Sequence, residues 1–102
     1  MNLKDKNYKE YLKKGTCVIE VSGESCANCL TLMPILNRLV SNRKDCELHH
    51  VEVDNDTMEF VKEFEIFTVP TILVFKNGEL VGRCKGFQPE EILEVWLDSK
   101  LS

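Results

Sequence analysis

Hydrophobic and polar residues follow two different spacings along the chain, and the spacing changes from one segment to the next. Apolar residues three and four positions apart predict helices, and short runs rich in β-branched and aromatic residues predict strands. These patterns predict helices over residues 4–14, 26–40 and 57–65 and from residue 88 onward, and strands over residues 16–22, 47–53, 71–75 and 80–84. In the last helix, the stripe expected to be buried consists of Ile92, Leu93, Trp96 and Leu97.

Three local signals mark the ends of these elements. Gly15 follows the first predicted helix, where a glycine commonly ends a helix. Asp56, with Glu59 three positions later, resembles a capping box at the start of the third helix. Asn77-Gly78 suits the positive φ angles of a tight hairpin turn and therefore joins the last two strands.

The order of the elements predicts the topology. A strand, a helix and a second strand in succession imply a parallel pair with a right-handed crossover, and the hairpin adds two antiparallel strands. We therefore expect an α/β protein with one mixed four-stranded sheet and helices on both faces. No linker, repeat or low-complexity tract divides the sequence, so residues 1–102 are predicted to form a single domain.

Composition and charge exclude several classes of protein. Hydrophobic residues make up 43% of the chain and charged residues 29%, which is typical of a soluble globular protein. The net charge of −4, without a basic patch, argues against a nucleic-acid binder. No apolar run is long enough for a membrane span, and the polar N-terminus shows no secretory signal. The expected location is therefore the cytoplasm.

The chain has five cysteines, and only Cys26 and Cys29 have a spacing that suggests chemistry. Cys26 would lie at the N-terminus of a helix, where free backbone N–H groups and the helix dipole stabilise a thiolate. Cys29 would lie one turn later on the same face, close enough to attack a mixed disulfide formed at Cys26. The alternative interpretation is half of a zinc site, which would need ligands from Cys46, His49, His50 or an acidic residue elsewhere.

Glu20 is unusual because it interrupts an apolar strand six residues before Cys26. Alternation with Ile19 and Val21 predicts an inward side chain, where a carboxylate is costly unless it is paired or protonated. The hypothesis is that Glu20, directly or through a water molecule, takes the proton of Cys29. The alternative is that Glu20 faces an open side of the sheet and is solvated.

Val69-Pro70 is the third candidate feature, immediately before an apolar strand. A cis bond there would turn the backbone groups of Val69 outward, where they could pair with an extended substrate peptide. Alternatively, Pro70 only marks the edge of the strand.

Together these residues resemble the thioredoxin family. The resemblance includes Glu20, the Cys26-Ala27-Asn28-Cys29 motif, Pro34, Val69-Pro70-Thr71, the run Phe75-Lys76-Asn77-Gly78-Glu79 and Gly86. It implies the thioredoxin fold, dithiol–disulfide exchange, Cys26 as nucleophile, Cys29 as resolving thiol and a cis bond at Pro70. Glu20 stands where thioredoxins carry a buried Asp and protein disulfide isomerases a Glu. The resemblance also implies an electron donor of the thioredoxin-reductase type.

The sequence departs from the family pattern around the cysteines. Ser25 replaces the usual tryptophan, Ala27-Asn28 replaces Gly-Pro, and Leu30 replaces lysine. Leu30 would lie either in a substrate-contacting patch or against a neighbouring loop. Thr68 is also atypical, and the N-terminal segment lacks an obvious first strand, which predicts four strands rather than five.

The predicted function is reduction of protein disulfides by a monomer that needs no bound cofactor or metal. Substrate contacts are expected from Ser25, Ala27, Asn28, Val69 and Pro70. Two alternatives remain: a disulfide oxidase or isomerase, and a binding or metal-binding module without enzymatic activity. Cys17 is expected to pack beside a strand, and Cys46 and Cys84 to be partly exposed.

Overall fold

Four helices and four strands form the fold in a computed structural model that describes all 102 residues. Along the chain they are α1 (Tyr8–Leu12), β1 (Thr16–Ser22), α2 (Ala27–Ser41), β2 (Cys46–Glu52), α3 (Met58–Glu63), β3 (Thr71–Lys76), β4 (Glu79–Lys85) and α4 (Glu90–Leu101). The sheet has the order β2-β1-β3-β4, with β1 parallel to β2 and antiparallel to β3, and β3 antiparallel to β4. This confirms the predicted mixed sheet. None of the helices is both long and apolar enough to cross a membrane.

The sheet separates two apolar cores, one on each face. The first lies against α1 and α3 and contains Leu3, Tyr8, Leu12, Cys17, Ile19, Val21, Val51, Phe60, Ile66, Leu73 and Phe75. The second lies against α2 and α4 and contains Val18, Leu32, Leu36, Leu39, Val40, Ile72, Val74, Leu93 and Leu97. Alternate residues of the central strand β1 enter different cores, which explains why almost the whole strand is apolar.

The N-terminal segment differs from the predicted helix over residues 4–14, because α1 is confined to Tyr8–Leu12. Residues 5–7 form a turn instead, and only residues 1–3 run beside β2. Asn2 forms an isolated parallel bridge with His50, and the N–H of Leu3 donates to the carbonyl of His50 at 2.8 Å. The edge of β2 thus satisfies backbone groups of residues 1–3, which precede the predicted helix.

The predicted capping box at Asp56 and Glu59 is wrong. Neither side chain caps α3; instead, the carboxylate of Asp5 accepts hydrogen bonds from the backbone N–H groups of Glu59 and Phe60, each at 3.0 Å. Asp5 is more than fifty residues away in sequence, so local patterns could not indicate this cap.

The buried stripe of α4 is also narrower than predicted. Leu93 and Leu97, four positions apart, are fully buried, and Trp96 is half-buried, whereas Ile92 is 55% exposed. Because successive helical residues are about 100° apart, a face centred on Leu93 and Leu97 turns Ile92 towards solvent.

We expect Asp5→Ala to lower the free energy of unfolding by about 1–2 kcal/mol, because two N–H groups at the start of α3 lose their acceptor. The matched control is Asp56→Ala, which removes a nearby exposed carboxylate that caps nothing and should cost less than about 0.5 kcal/mol. Urea unfolding of both variants measures the difference. A larger loss for Asp56→Ala would contradict the assignment of the cap.

Candidate active site

The two cysteines of the motif lie where β1 delivers the chain into α2. Cys26 is the N-cap of α2, its Sγ atom accepts the backbone N–H of Cys29 at 3.2 Å, and the two residues are joined by a disulfide. Ser25 has a positive φ of 58°, an uncommon conformation for a residue with a side chain, and it turns the chain into the helix. This turn leaves Cys26 half-buried, while Cys29 is only 5% exposed.

Glu20 lies in the interior of the protein. It is fully buried, on the face of β1 that is turned towards α2, and it lines the same groove as Cys29. One carboxylate oxygen, Oε1, lies 2.8 Å from Nδ1 of His50 and accepts a hydrogen bond from the Ser22 hydroxyl at 3.2 Å. The other oxygen, Oε2, has no partner within the protein. The alternative of a solvated carboxylate on an open sheet face does not apply.

Sequence reasoning named His50 only as a possible zinc ligand and missed its contact with Glu20. Its Nε2 atom lies 3.1 Å from the Ser22 hydroxyl and 3.6 Å from the carboxylate of Glu52, and its side chain is 22% exposed. The hydrogen bond with Glu20 raises the pKa of His50 and outweighs the opposite effect of burial. The parallel register of β1 and β2 places Glu20 directly opposite His50, so aligning the two predicted strands could have revealed the pair.

His49 lies on the opposite face of β2, as alternation along a strand predicts. It is 5% exposed and packs against the ring of Tyr11, with ring centroids 5.4 Å apart. Burial lowers the pKa of His49, although Glu47 lies 3.3 Å from its Nε2 atom. The two consecutive histidines therefore have opposite electrostatic environments, and only His50 belongs to the site.

A groove of about 540 Å³ connects these groups to the surface. Its lining brings together Cys26, Cys29, Glu20 and His50, with Leu30 and Met33 from α2. Its remaining lining residues are the last residues of β1 and β2, Ser22 and Glu52, and the connections that follow them. The predicted residues Glu20, Ser25, Cys26 and Cys29 thus share one cavity.

The bond between Val69 and Pro70 is cis, as the resemblance implied. This loop rests against the connection that precedes Cys26, because a Cβ atom placed on Gly23 would lie only 3.2 Å from a methyl group of Val69. The carbonyl of Pro70 accepts the N–H of Gly86 at 2.8 Å, whereas the backbone N–H and carbonyl of Val69 make no hydrogen bond within the protein.

Two large apolar side chains are exposed on the segments around the groove. Leu30 on α2 is 78% exposed, and Phe67 on the cis-proline loop is 85% exposed. Leu30 is thus not buried against a neighbouring loop. Sequence reasoning gave Phe67 no role, although an aromatic residue two positions before Val69 could have indicated a substrate contact. Ala27 and Asn28 are also exposed, as is Ser25, whereas Pro70 is buried.

The other three cysteines lie outside the groove. Cys17 is fully buried, as predicted, and burial raises the pKa of its thiol. Cys46 and Cys84 are half-buried, also as predicted.

No group of three or more His, Cys, Asp and Glu side chains is arranged to hold a metal ion.

Comparisons with known proteins agree with this geometry. The Thioredoxin family model matches residues 1–99. A thioredoxin of Staphylococcus haemolyticus is 32% identical over 98 residues, which cover 95% of this chain and 93% of that protein. A thioredoxin of Staphylococcus saprophyticus is 29% identical over the same shares. The fold and the cysteine pair define a thiol–disulfide oxidoreductase, and the chain belongs to the thioredoxin family.

A solved structure shows the same fold at lower sequence identity. It comes from a study of the thiol resolving mechanism in yeast mitochondrial 1-Cys peroxiredoxin via glutathione/thioredoxin systems. The TM-score is 0.83 at 22% identity, with 96% of this chain and 93% of that chain covered. The likeness supports the assignment of the fold.

The raised pKa of His50 predicts a pH-dependent contribution to stability. A histidine whose pKa is raised by folding stabilises the native state in full below its unfolded pKa, and this contribution is lost as the pH rises through the folded value. His50→Gln should therefore cost about 2 kcal/mol near pH 6 and progressively less above neutrality. Urea unfolding of the disulfide form at several pH values measures this slope.

His49→Gln is the matched control, and its slope should have the opposite sign. Because burial lowers the pKa of His49, the native state binds fewer protons there than the unfolded chain, and stability from this residue rises with pH. Equal slopes for the two variants would contradict the assigned environments.

Proposed function

We propose that the chain reduces disulfide bonds of cytoplasmic proteins through the dithiol form of Cys26 and Cys29. The observation that carries the proposal is the unequal exposure of two cysteines at one helix end. Cys26 is half-exposed, whereas Cys29 is buried in the groove that also contains the carboxylate of Glu20. One sulfur is therefore accessible to a protein substrate, and the other is positioned to act only after the first has reacted.

The first step is attack by the thiolate of Cys26 on a substrate disulfide. Its position at the N-terminus of α2 favours the thiolate, because unpaired backbone N–H groups and the helix dipole stabilise negative charge there. A new S–S bond forms between Cys26 and one substrate sulfur. The substrate S–S bond breaks, and the other substrate sulfur leaves as a thiolate.

The second step is attack by Cys29 on the mixed disulfide. Glu20 takes the thiol proton of Cys29, the bond between Cys26 and the substrate breaks, and the bond between Cys26 and Cys29 forms. The second substrate sulfur leaves as a thiolate. Two electrons have then passed from the dithiol to the substrate. The fully buried carboxylate with one unpartnered oxygen supports Glu20 as the proton acceptor.

The substrate is held as an extended peptide beside the cis-proline loop. The backbone N–H and carbonyl of Val69 make no hydrogen bond within the protein, so they can pair with a peptide backbone. Pro70, the next residue, is buried. Exposed Leu30 and Phe67 supply apolar contacts on the two neighbouring segments. Ser25, Ala27 and Asn28 complete the contact surface around the reactive sulfur.

The protein acts as a single-domain monomer and is returned to the dithiol form by an electron donor. A flavoprotein of the thioredoxin-reductase type would supply the two electrons, as the family assignment suggests. The reaction by itself requires no bound cofactor, since both redox states reside in the cysteine pair.

The cysteine roles predict different outcomes for two substitutions. Cys26→Ser should abolish reduction of a protein disulfide, because the attacking thiolate is lost. Cys29→Ser should accumulate a covalent complex with substrate, because the mixed disulfide cannot be resolved. Mass spectrometry after rapid alkylation detects the complex, and Cys84→Ser, which removes a cysteine outside the groove, is the control. A stable complex from Cys26→Ser through Cys29 would reverse the roles.

The direction of electron flow is tested by a redox titration of Cys26 and Cys29 with the other three cysteines changed to Ser. A midpoint near that of thioredoxin, about −270 mV, is expected for a reductase. A midpoint clearly higher than this would favour an oxidase or isomerase. If the pair never forms a reversible disulfide, the chain is a binding module of this fold rather than a reductase.

A further inference from the structure

A second, smaller hollow adjoins the reaction groove and shares part of its wall. Its volume is about 230 Å³, and Gly23, Glu24 and Val53 line both cavities. The rest of its lining is residues 66–69 of the cis-proline loop. Because pockets for small-molecule ligands usually exceed about 300 Å³, a hollow of this size suits a single side chain of a bound peptide.

The hollow combines apolar walls with one charge. Val53, Ile66 and Val69 contribute hydrocarbon surface, and Glu24 is the only charged residue of the lining. Glu24 is exposed and forms no ion pair within the protein. Its carboxylate is therefore free to pair with a cation that another molecule brings.

Phe67 adds an aromatic ring to the same hollow. Its side chain is 85% exposed, and its ring is not part of the aromatic pairs within the protein. A guanidinium or ammonium group within about 6 Å of a ring centroid is attracted to the face of the ring. The exposed ring and the unpaired carboxylate of Glu24 thus favour the same kind of ligand group.

No basic side chain opposes a cation at this place. Neither the groove nor the hollow is lined by a lysine or an arginine. Lys4 is paired with Asp54 at 3.0 Å, and Arg83 donates a hydrogen bond to the carbonyl of Glu65 at 3.4 Å. Glu52 adds a further carboxylate to the groove. An acidic side chain of a substrate would therefore be repelled, whereas a basic one would be attracted.

We propose that the hollow beside Glu24 and Phe67 is a subsite for an arginine or lysine side chain of the substrate, one or two residues from the reacting cysteine. The inference rests on the proposed function and adds a substrate class to it, namely proteins whose disulfide is flanked by a basic residue. The aliphatic stem of such a side chain packs along the apolar wall, while its charged end reaches the carboxylate and the ring. Glu24 precedes Cys26 by two residues, so their Cα atoms are at most about 7 Å apart, which keeps the cation close to the reacting disulfide.

The test compares disulfide substrates that differ by one charge. Short peptides with a single cysteine joined to a neutral small thiol carry either arginine or citrulline at each of the two positions on either side of the cysteine. Citrulline has the shape of arginine without its charge. The second-order rate of reduction by the dithiol protein, measured by mass after alkylation, should be about fivefold higher for arginine than for citrulline at one of these positions. The ratio should fall towards one at high salt, because salt screens exposed charges.

Variants assign this preference to the hollow. Glu24→Gln and Phe67→Leu should each lower the ratio of the two rates to about twofold, and the double variant should lower it to about one. Any effect of Glu24 on the thiolate of Cys26 changes both rates equally and cancels in the ratio. Glu79→Gln is the matched control, because it removes an exposed carboxylate at the opposite end of the β3–β4 hairpin from the cis-proline loop, and it should keep the full ratio.

The outcomes separate this inference from the proposed function. Equal rates for arginine and citrulline at every position, or a preference that survives in the double variant, would overturn the inference while disulfide reduction stands. A leucine peptide that reacts faster than the arginine peptide would show that the hollow selects apolar side chains, and would also overturn it. If the dithiol protein reduces none of the peptides, the proposed function fails, and this inference fails with it.

Discussion

The burial of one carboxylate in the central strand is the constraint on which the rest of the site depends. Glu20 is the only acidic residue of β1, and both neighbours in the strand are fully buried. An ionised carboxylate in such a position is costly without a partner, so the fold must bring one to it. The partner is His50, and the contact between them requires the parallel register of β1 and β2.

The same parallel register also determines where the cysteines lie. Parallel neighbouring strands need a crossover connection, and α2 provides it, so α2 must begin at the carboxyl end of β1. Cys26 is the residue at which that helix begins, and its own sulfur accepts the N–H of Cys29. The strand pairing that supports the carboxylate thus also places the helix N-terminus above it. The position of the acid and the position of the sulfurs are two results of one topology.

Features determined by local sequence could be predicted, and features determined by distant contacts could not. The four strands, α2 and the hairpin turn follow from nearby residues, and the structure places them close to the predicted ranges. The cap of α3 by Asp5 and the bridge at Asn2 depend on where the N-terminal segment lies, which no periodicity encodes. The partner of Glu20 required a register between two strands rather than a pattern within one. Exposure of Phe67 likewise depends on the path of a loop.

Most of the departures from the family pattern lie around the cysteines, where the chain meets its proposed substrate. Ser25 leaves no aromatic side chain directly before Cys26, yet Phe67 exposes one on the cis-proline loop. That loop is held by the close approach of Val69 to Gly23, so Phe67 is tied to the same connection that carries the reactive cysteine. A residue with a side chain at Gly23 would require the methyl group of Val69 to move by a few tenths of an ångström. This one contact therefore positions the exposed aromatic side chain relative to the reactive cysteine.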